Sequence, residues 1–248
     1  MIKSKYLVLN SFYFDFNDDL TEIIEIKSLF ENQNILDLFR FDKMTIIKKL
    51  QFDEKNINFI YLPKNIEKIE NEAFGENQIK IIDLSNCINL NFIESWSFWG
   101  NQIKQLKLPK NIEKIKDYAF AENQIEILDL SNCIKLKNID DASFCNNQIK
   151  QLKLPKNIKI IDRSAFVNNQ IKVLDLSDYK ILNQIKSYAF FGNQLNEIKI
   201  LDNIKIECDN YSYISEDPWN NFVKYYNENN KKAGNYKLEN NQWQWYPL

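Results

Sequence analysis

Three aspartates and three lysines carry whatever patterned chemistry this chain of 248 residues could perform. Asp83, Asp129 and Asp175 recur every 46 residues, each between two aliphatic residues and a Leu-Ser pair. Lys107, Lys153 and Lys199 recur with the same step. Paired carboxylates suit glycoside hydrolysis when they lie roughly 5–9.5 Å apart. Other chemistries are closed off by composition. There is no histidine, which removes His-dependent triads, His general bases and His metal ligands. Four glycines leave little for a phosphate-cradling loop. The four cysteines, Cys87, Cys133, Cys145 and Cys208, show no C-x-x-C spacing, so zinc is not expected.

The elements that position these residues are repeats. Phe74, Phe98, Phe120, Phe144, Phe166 and Phe190 form one series, with Phe52 a further step back. Asn77, Asn101, Asn123, Asn147, Asn169 and Asn193, each followed by Gln, form another. Steps of 22 and 24 residues alternate. A short unit, "NQIKQLKLPKNIEKIKDYAF" (101–120), therefore takes turns with a long one, "NQIEILDLSNCIKLKNIDDASF" (123–144), whose two extra residues fall in the turn after the strand. Units this short cannot bury their own apolar face, so neighbours must stack. The period-2 stretch at Leu106–Leu108 predicts one short strand per coil, and equal spacing predicts a parallel sheet. The rest of each coil is expected as a turn and a short helical or 3₁₀ piece. The Phe series reads as a stacked spine, behind which Ala73, Ser97, Ala119, Ser143, Ala165 and Ala189 allow tight contact. Each Asn reads as a buried amide bonding the backbone of its own coil and the next.

On this frame the outward strand positions run Tyr61, Asp83, Lys107, Asp129, Lys153, Asp175, Lys199, with acid and base alternating. Adjacent strands lie about 4.8 Å apart. Each lysine is thus expected between two aspartates, in a ladder that neutralises itself and specifies how the unit types stack. The aspartates fall about 10 Å apart, too far for paired glycosidase acids, and a lysine between them holds each ionised. No catalytic residue, cofactor or metal is expected. The flanking row, Phe59, Ile81, Gln105, Ile127, Gln151, Val173 and Glu197, presents apolar residues outward. The two rows together, with Trp99, form a candidate face for a protein partner. Cys87 and Cys133, two rungs apart, are too distant for a disulfide.

The units resemble the leucine-rich repeats of the BspA-like class, which read roughly L-x-x-I-x-I-P-x-x-V-x-x-I-G-x-x-A-F. The counterparts are Leu106, Leu108, Pro109, Ile112, Ile115, Ala119 and Phe120, with Asp117 where the family often has Gly-Asp. The resemblance covers about residues 52–206. The tail, with Ala233, Gly234, Tyr236 and Trp243, looks like the aromatic terminal segment of many such proteins. It implies a non-enzymatic protein engaged in adhesion or protein contact, often at cell surfaces.

The expected fold is an α/β repeat solenoid of about seven coils, a curved leucine-rich-repeat array with one parallel sheet, capped at both ends. Residues 1–50 are read as an N-terminal cap or degenerate repeat, with "IIEIKSLF" ending on Phe30 as a possible coil. Within it, Ile35–Leu50 is read as helical through Leu36, Phe39, Met44 and Ile47. Residues 51–206 form the solenoid. Residues 207–248 form a C-terminal cap, a helix over 220–229 plus a hairpin pairing "NYKLEN" with "QWQWYPL". A net charge of −2 argues against nucleic acid. No run of about 18 apolar residues occurs, so no membrane insertion is expected. The start lacks the pattern of a signal peptide, which gives an intracellular expectation. The function expected is that of a protein-interaction module or scaffold. A surface adhesin or glycan binder using the aromatic tail is the alternative.

Overall fold

The computed structural model of the chain describes residues 5–9, 12–16, 23–28, 35–39, 41, 43–207 and 217–248. Strands β1 (Lys5–Leu9), β2 (Phe12–Phe16) and β3 (Ile23–Ser28) form an antiparallel meander. The "IIEIKS" stretch expected in a coil is therefore a strand pairing antiparallel with β2, and Phe30 lies outside the described residues.

From Ile35 onward the chain winds into coils that each add one strand to two parallel ladders. Coil 1 has β4 (Ile35–Asp37) and β5 (Ile46–Ile47), and coil 2 has β6 (Phe59–Tyr61) and β7 (Lys68–Ile69). Coil 3 has β8 (Ile81–Asp83) and β9 (Phe92–Ile93), and coil 4 has β10 (Gln105–Lys107) and β11 (Lys114–Ile115). Coil 5 has β12 (Ile127–Asp129) and β13 (Asn138–Ile139), and coil 6 has β14 (Gln151–Lys153) and β15 (Ile160–Ile161). Coil 7 has β16 (Val173–Asp175) and β17 (Gln184–Ile185), and β18 (Glu197–Ile200) and β19 (Lys205–Ile206) begin a turn beyond it. The stretch expected as helical, Ile35–Leu50, is thus a coil. Leu36, Met44 and Ile47 are buried in it, but Phe39 is exposed.

Two expectations are corrected. There is a second parallel ladder, of two-residue strands, beside the predicted one. And the coils are not α/β: the crossovers are turns, and α1 (Pro218–Glu228) is the one α-helix among the described residues. The backbone explains why. Two residues before each spine Phe the chain takes a left-handed φ, at Leu50, Glu72, Trp96, Tyr118, Ala142, Ser164 and Tyr188. A second left-handed residue follows two positions after the Phe, and two of these are glycines, Gly100 and Gly192. A left-handed L-residue costs about 1–2 kcal/mol and cannot continue a right-handed helix. The conformation is held because it aims alternate N–H groups at the next coil: Tyr118 to Asp141 O, Phe120 to Ser143 O and Glu122 to Cys145 O, at 2.9–3.0 Å.

The core is the predicted spine. Rings from Phe52 to Phe190 stack with centroids 5.2–5.9 Å apart and planes within 14°. All six small residues preceding the Phe series from Phe74 on are fully buried. Each Asn amide is buried and bridges its own coil to the preceding one, not to the next as expected. Asn123 Nδ2, for example, donates to Phe98 O of coil 3 as well as to Phe120 O and Ala121 O. Its Oδ1 accepts from Ile103 N at 2.9 Å.

Beyond the last coil, β20 (Gly234–Glu239) pairs antiparallel with β18 and with β21 (Gln242–Tyr246). Trp219 of α1 packs edge-on against Phe190 at 5.0 Å, ending the ring stack. Asp217 caps α1 through the N–H groups of Trp219 and Asn220 while its other oxygen accepts from Gly192 N at 2.8 Å. Gly192 is a position whose counterparts, such as Glu122, donate to a following coil, so Asp217 supplies the acceptor that a further coil would have provided.

Candidate partner-binding face

The strands of the first ladder send their central residues inward and their first and third residues outward. Ile82, Leu128 and Leu174 are buried, whereas Ile81, Asp83, Gln105, Lys107, Ile127, Asp129, Gln151, Lys153, Val173 and Asp175 are exposed, with Phe59 and Tyr61. Glu197 and Lys199 are half-buried, because β18 lies between β16 and β20 rather than on open sheet.

The charges form pairs instead of a continuous ladder. Lys107 Nζ lies 3.2 Å from Asp83, Lys153 lies 3.5 Å from Asp129, and Lys199 lies 3.5 Å from Asp175. In each case the partner is the preceding aspartate; among the described residues no lysine of the row bridges to the following one. Strand pairing gives the reason. β8 pairs with β10, β12 with β14 and β16 with β18, with these residues in direct register. β10 is not bonded to β12, nor β14 to β16. The expectation of a lysine clasped on both sides is thereby corrected.

Each aspartate also opens the long-unit turn. Asp83 Oδ1 accepts from Ser85 N at 3.1 Å and from Ser85 Oγ, and Asp129 with Ser131 and Asp175 with Ser177 repeat the arrangement. The serine hydroxyls, and then the lysines, hold Asp83 and Asp129 below the ordinary carboxylate range. Partial burial pushes Asp175 up, but Ser177 and Lys199 outweigh it and its value is also lowered. These acids are ionised, hydrogen-bonded turn residues. A general acid needs the opposite tuning.

What the face offers a partner is apolar area. Ile127 is 58% exposed and Tyr61 55%, and Ile81 and Val173 stand out in the same way. A second set was not singled out from the sequence: Ile88, Ile134 (63% exposed) and Ile181, in the long-unit turns. Their signal was present in the two-residue insertion that distinguishes the long unit. Because the short unit lacks it, the turn at Leu108–Lys110 sits between two longer ones. The result is a groove of about 420 Å³ lined by Ile88, Leu108, Pro109 and Ile134, among others. One period further on, Lys156 pairs with Asp178 at 2.5 Å, and the Tyr179 hydroxyl accepts from Leu154 N.

Trp99, expected at the surface, is half-buried, edge-on to Trp96 at 5.4 Å. The aromatic tail is also mostly inside: Trp219, Phe222, Tyr226, Tyr236 and Trp243 are buried, whereas Tyr246 is exposed. Burial pushes the Tyr226 hydroxyl up to about 12. Cys87, Cys133 and Cys145 are free and buried, with thiols pushed up to about 11, chiefly by burial. Cys208 lies outside the described residues. No group of His, Cys, Asp or Glu that could hold a metal occurs among the described residues. No helix among them is long and apolar enough to cross a membrane.

The coil geometry has a counterpart among known families. The family model of the BspA type leucine rich repeat region matches this chain in overlapping segments, 21–137, 45–172, 91–217 and 137–239. The chain belongs to the BspA-type leucine-rich repeat family. Its alternating coils, Phe spine and Asn amides are thus the form this family's repeat takes here. Among solved structures, a leucine-rich repeat protein from Bacteroides ovatus ATCC 8483 is similar, at 17% identity and a TM-score of 0.41. That match covers 83% of this chain and 68% of the other. No curated protein matches.

Proposed function

We propose that this BspA-type chain is a non-enzymatic interaction module that binds another protein through the first ladder and the long-unit turns beside it. The observation that carries the reading is the recurrence of exposed aliphatic residues, Ile81, Ile127 and Val173 with Ile88 and Ile134, on a chain whose spine already buries a full core. Isolated surface aliphatics are ordinary, but Ile88 and Ile134 line one groove with Leu108 and Pro109, and grouped apolar surface of this kind marks an interface. The paired charges set its polar rim, at Asp83–Lys107 and Asp129–Lys153. A surface ion pair contributes at most about 1 kcal/mol, so the affinity falls to the aliphatic residues.

Residues 51–206 form the binding array, 1–50 precede it, and 207–248 cap it. The pairing of β20 with β18 and the double role of Asp217 support a capping role for the last segment; the pairing of β4 and β5 with the next coil supports reading the end of the first as a degenerate repeat. The three buried free thiols favour an intracellular location, which cell fractionation tests. Replacing Ile127 and Ile134 by Ser should abolish recovery of a specific partner while leaving the melting temperature within a few degrees. Equal recovery by both proteins would remove the reading.

A further inference from the structure

A second cavity lies away from the strand face, on the turns flanking the Phe spine. The position after each spine Phe runs Asp53, Gly75, Trp99, Ala121, Cys145, Val167 and Phe191 along the solenoid. From coil 3 to coil 6 these residues close over one another: Ala121, Ala142 and Cys145 form a buried cluster with Trp99, Tyr118 and Val167 packed on it. In coil 2 the same position is Gly75. Its φ lies outside the left-handed region, so the backbone does not require glycine there. The missing side chain leaves the Asp53 carboxylate against the main chain: a Cβ on Gly75 would stand 2.5 Å from Asp53 Oδ1. A cavity of about 380 Å³ opens here, with Asp53 at one end and the indoles of Trp96 and Trp99 at the other. That is within the range of about 300–1,000 Å³ usual for small-ligand sites.

Its walls have one chemical character. Glu54, Glu72 and Glu76 line it together with Asp53. On the strand face acids meet a lysine at close range, as in Asp83–Lys107 at 3.2 Å and Glu126–Lys150 at 2.9 Å. Here Asp53, Glu54 and Glu76 have neither an ion pair nor a side-chain hydrogen bond among the described residues, and Glu72 meets Lys49 only at 3.9 Å. Asp53 is half-buried, and burial with the charges of Glu54, Glu72 and Glu76 pushes its carboxyl up against the opposing effect of Lys55. The aromatic wall is rigid. Trp96 stacks on Tyr118 of coil 4 at 4.2 Å, so its free face turns toward coil 2, where Glu72 holds the equivalent position.

We propose that this cavity binds an organic cation, an ammonium or guanidinium head held between the free face of Trp96 and the carboxylates of Glu72, Glu76 and Asp53. A cation over an indole within about 6 Å is attracted by the ring, and a flanking carboxylate adds to the attraction. An uncharged ligand would leave the acids unmatched, and an anion would be repelled. The cation could arrive on a peptide side chain or as a small molecule.

The test uses the full chain, titrated with tetramethylammonium chloride and, separately, with the acetylated, amidated peptide Gly-Arg-Gly. Sodium chloride at equal ionic strength and the corresponding Gly-Gln-Gly peptide serve as controls. The readout is the NMR shift of the assigned Trp96 and Trp99 indole N–H groups. A saturable shift with either cationic probe and neither control is expected, and the probe that binds tells the small molecule from the side chain. Glu72→Gln with Glu76→Gln should weaken binding about tenfold while the melting temperature holds. Ile127→Ser should leave binding intact, which separates this site from the strand face. No saturable shift with either probe, or equal affinity in the glutamine variant, would overturn the proposal.

Discussion

Replacing Asn147 by Ala tests whether the amide ladder is what ties coil to coil. Asn147 is 6% exposed. Its Oδ1 accepts from Ile125 N at 3.0 Å, and its Nδ2 donates to Phe120 O at 2.9 Å, with longer contacts to Phe144 O and Cys145 O. The ladder is partly redundant. Phe120 O keeps Asn123 Nδ2 at 3.2 Å, Phe144 O keeps Asn169 Nδ2 at 3.0 Å, and Cys145 O keeps Glu122 N. Only the Ile125 N–H is left without a partner, at about 1–3 kcal/mol. The small void adds roughly 1 kcal/mol, giving a total of about 2–4 kcal/mol. Urea unfolding gives the sum, and amide exchange gives the location: Ile125 should lose protection before the amides of coil 7. Asn147→Asp sharpens the test. It keeps the acceptor for Ile125 but sets a second oxygen against carbonyls, so the introduced carboxyl's pKa should rise on folding. Its deficit should then be largest at neutral pH and shrink as the pH falls toward the unfolded value of about 3.9. An alanine variant within 0.5 kcal/mol of wild type, or an aspartate variant whose deficit is flat with pH, would refute the reasoning.

Phe120→Ala removes a fully buried ring stacked at 5.2 Å on Phe98 and 5.6 Å on Phe144, and should cost about 3–5 kcal/mol in urea unfolding. Gly192→Ala places a Cβ at φ +73 with Asn168 Cα 3.2 Å away, and should lower stability by more than about 1 kcal/mol. Asp83, Asp129 and Asp175 are lowered in the fold, so their contribution is present above about pH 3.9 and is lost as pH falls through their folded values. Substituting all three by Asn should flatten the acid limb of the melting curve measured against pH.

The spine and the amide series were legible because stacking identical coils demands the same side chain at the same place. Phe98 above Phe120 and Asn101 above Asn123 leave a period that no other constraint would write. The turns were hidden for a different reason. Leu50, Glu72, Trp96 and Tyr118 are poor choices for a left-handed φ, and only the hydrogen bonds to the following coil fix them there. Leu36, Phe39, Met44 and Ile47 mimic a helical spacing, yet strand pairing between β4 and β6 places them in a coil. The alternation of aspartate and lysine was visible, but its breakage into pairs depends on which neighbouring strands bond. On the candidate face, the outward aliphatics were readable from period-2 alternation. Ile88 and Ile134 had only the indirect signal of the two-residue insertion, since their exposure arises when a long turn stands beside a short one. Trp99 shows the converse: Trp96 and the cluster of Ala121, Ala142 and Cys145 partly cover a residue that looked free in its own coil.

The central claim is that the outward aliphatic rows bind a protein and are dispensable for folding. The most direct measurement is quantitative cross-linking capture from the expressing cells, comparing the intact chain with Ile127→Ser, Ile134→Ser protein of equal thermal stability. A partner cross-linked to the first ladder or its long-unit turns is expected with the intact chain, depleted at least tenfold with the variant. Undiminished recovery of the same partner, or cross-links confined to the second ladder, would contradict it.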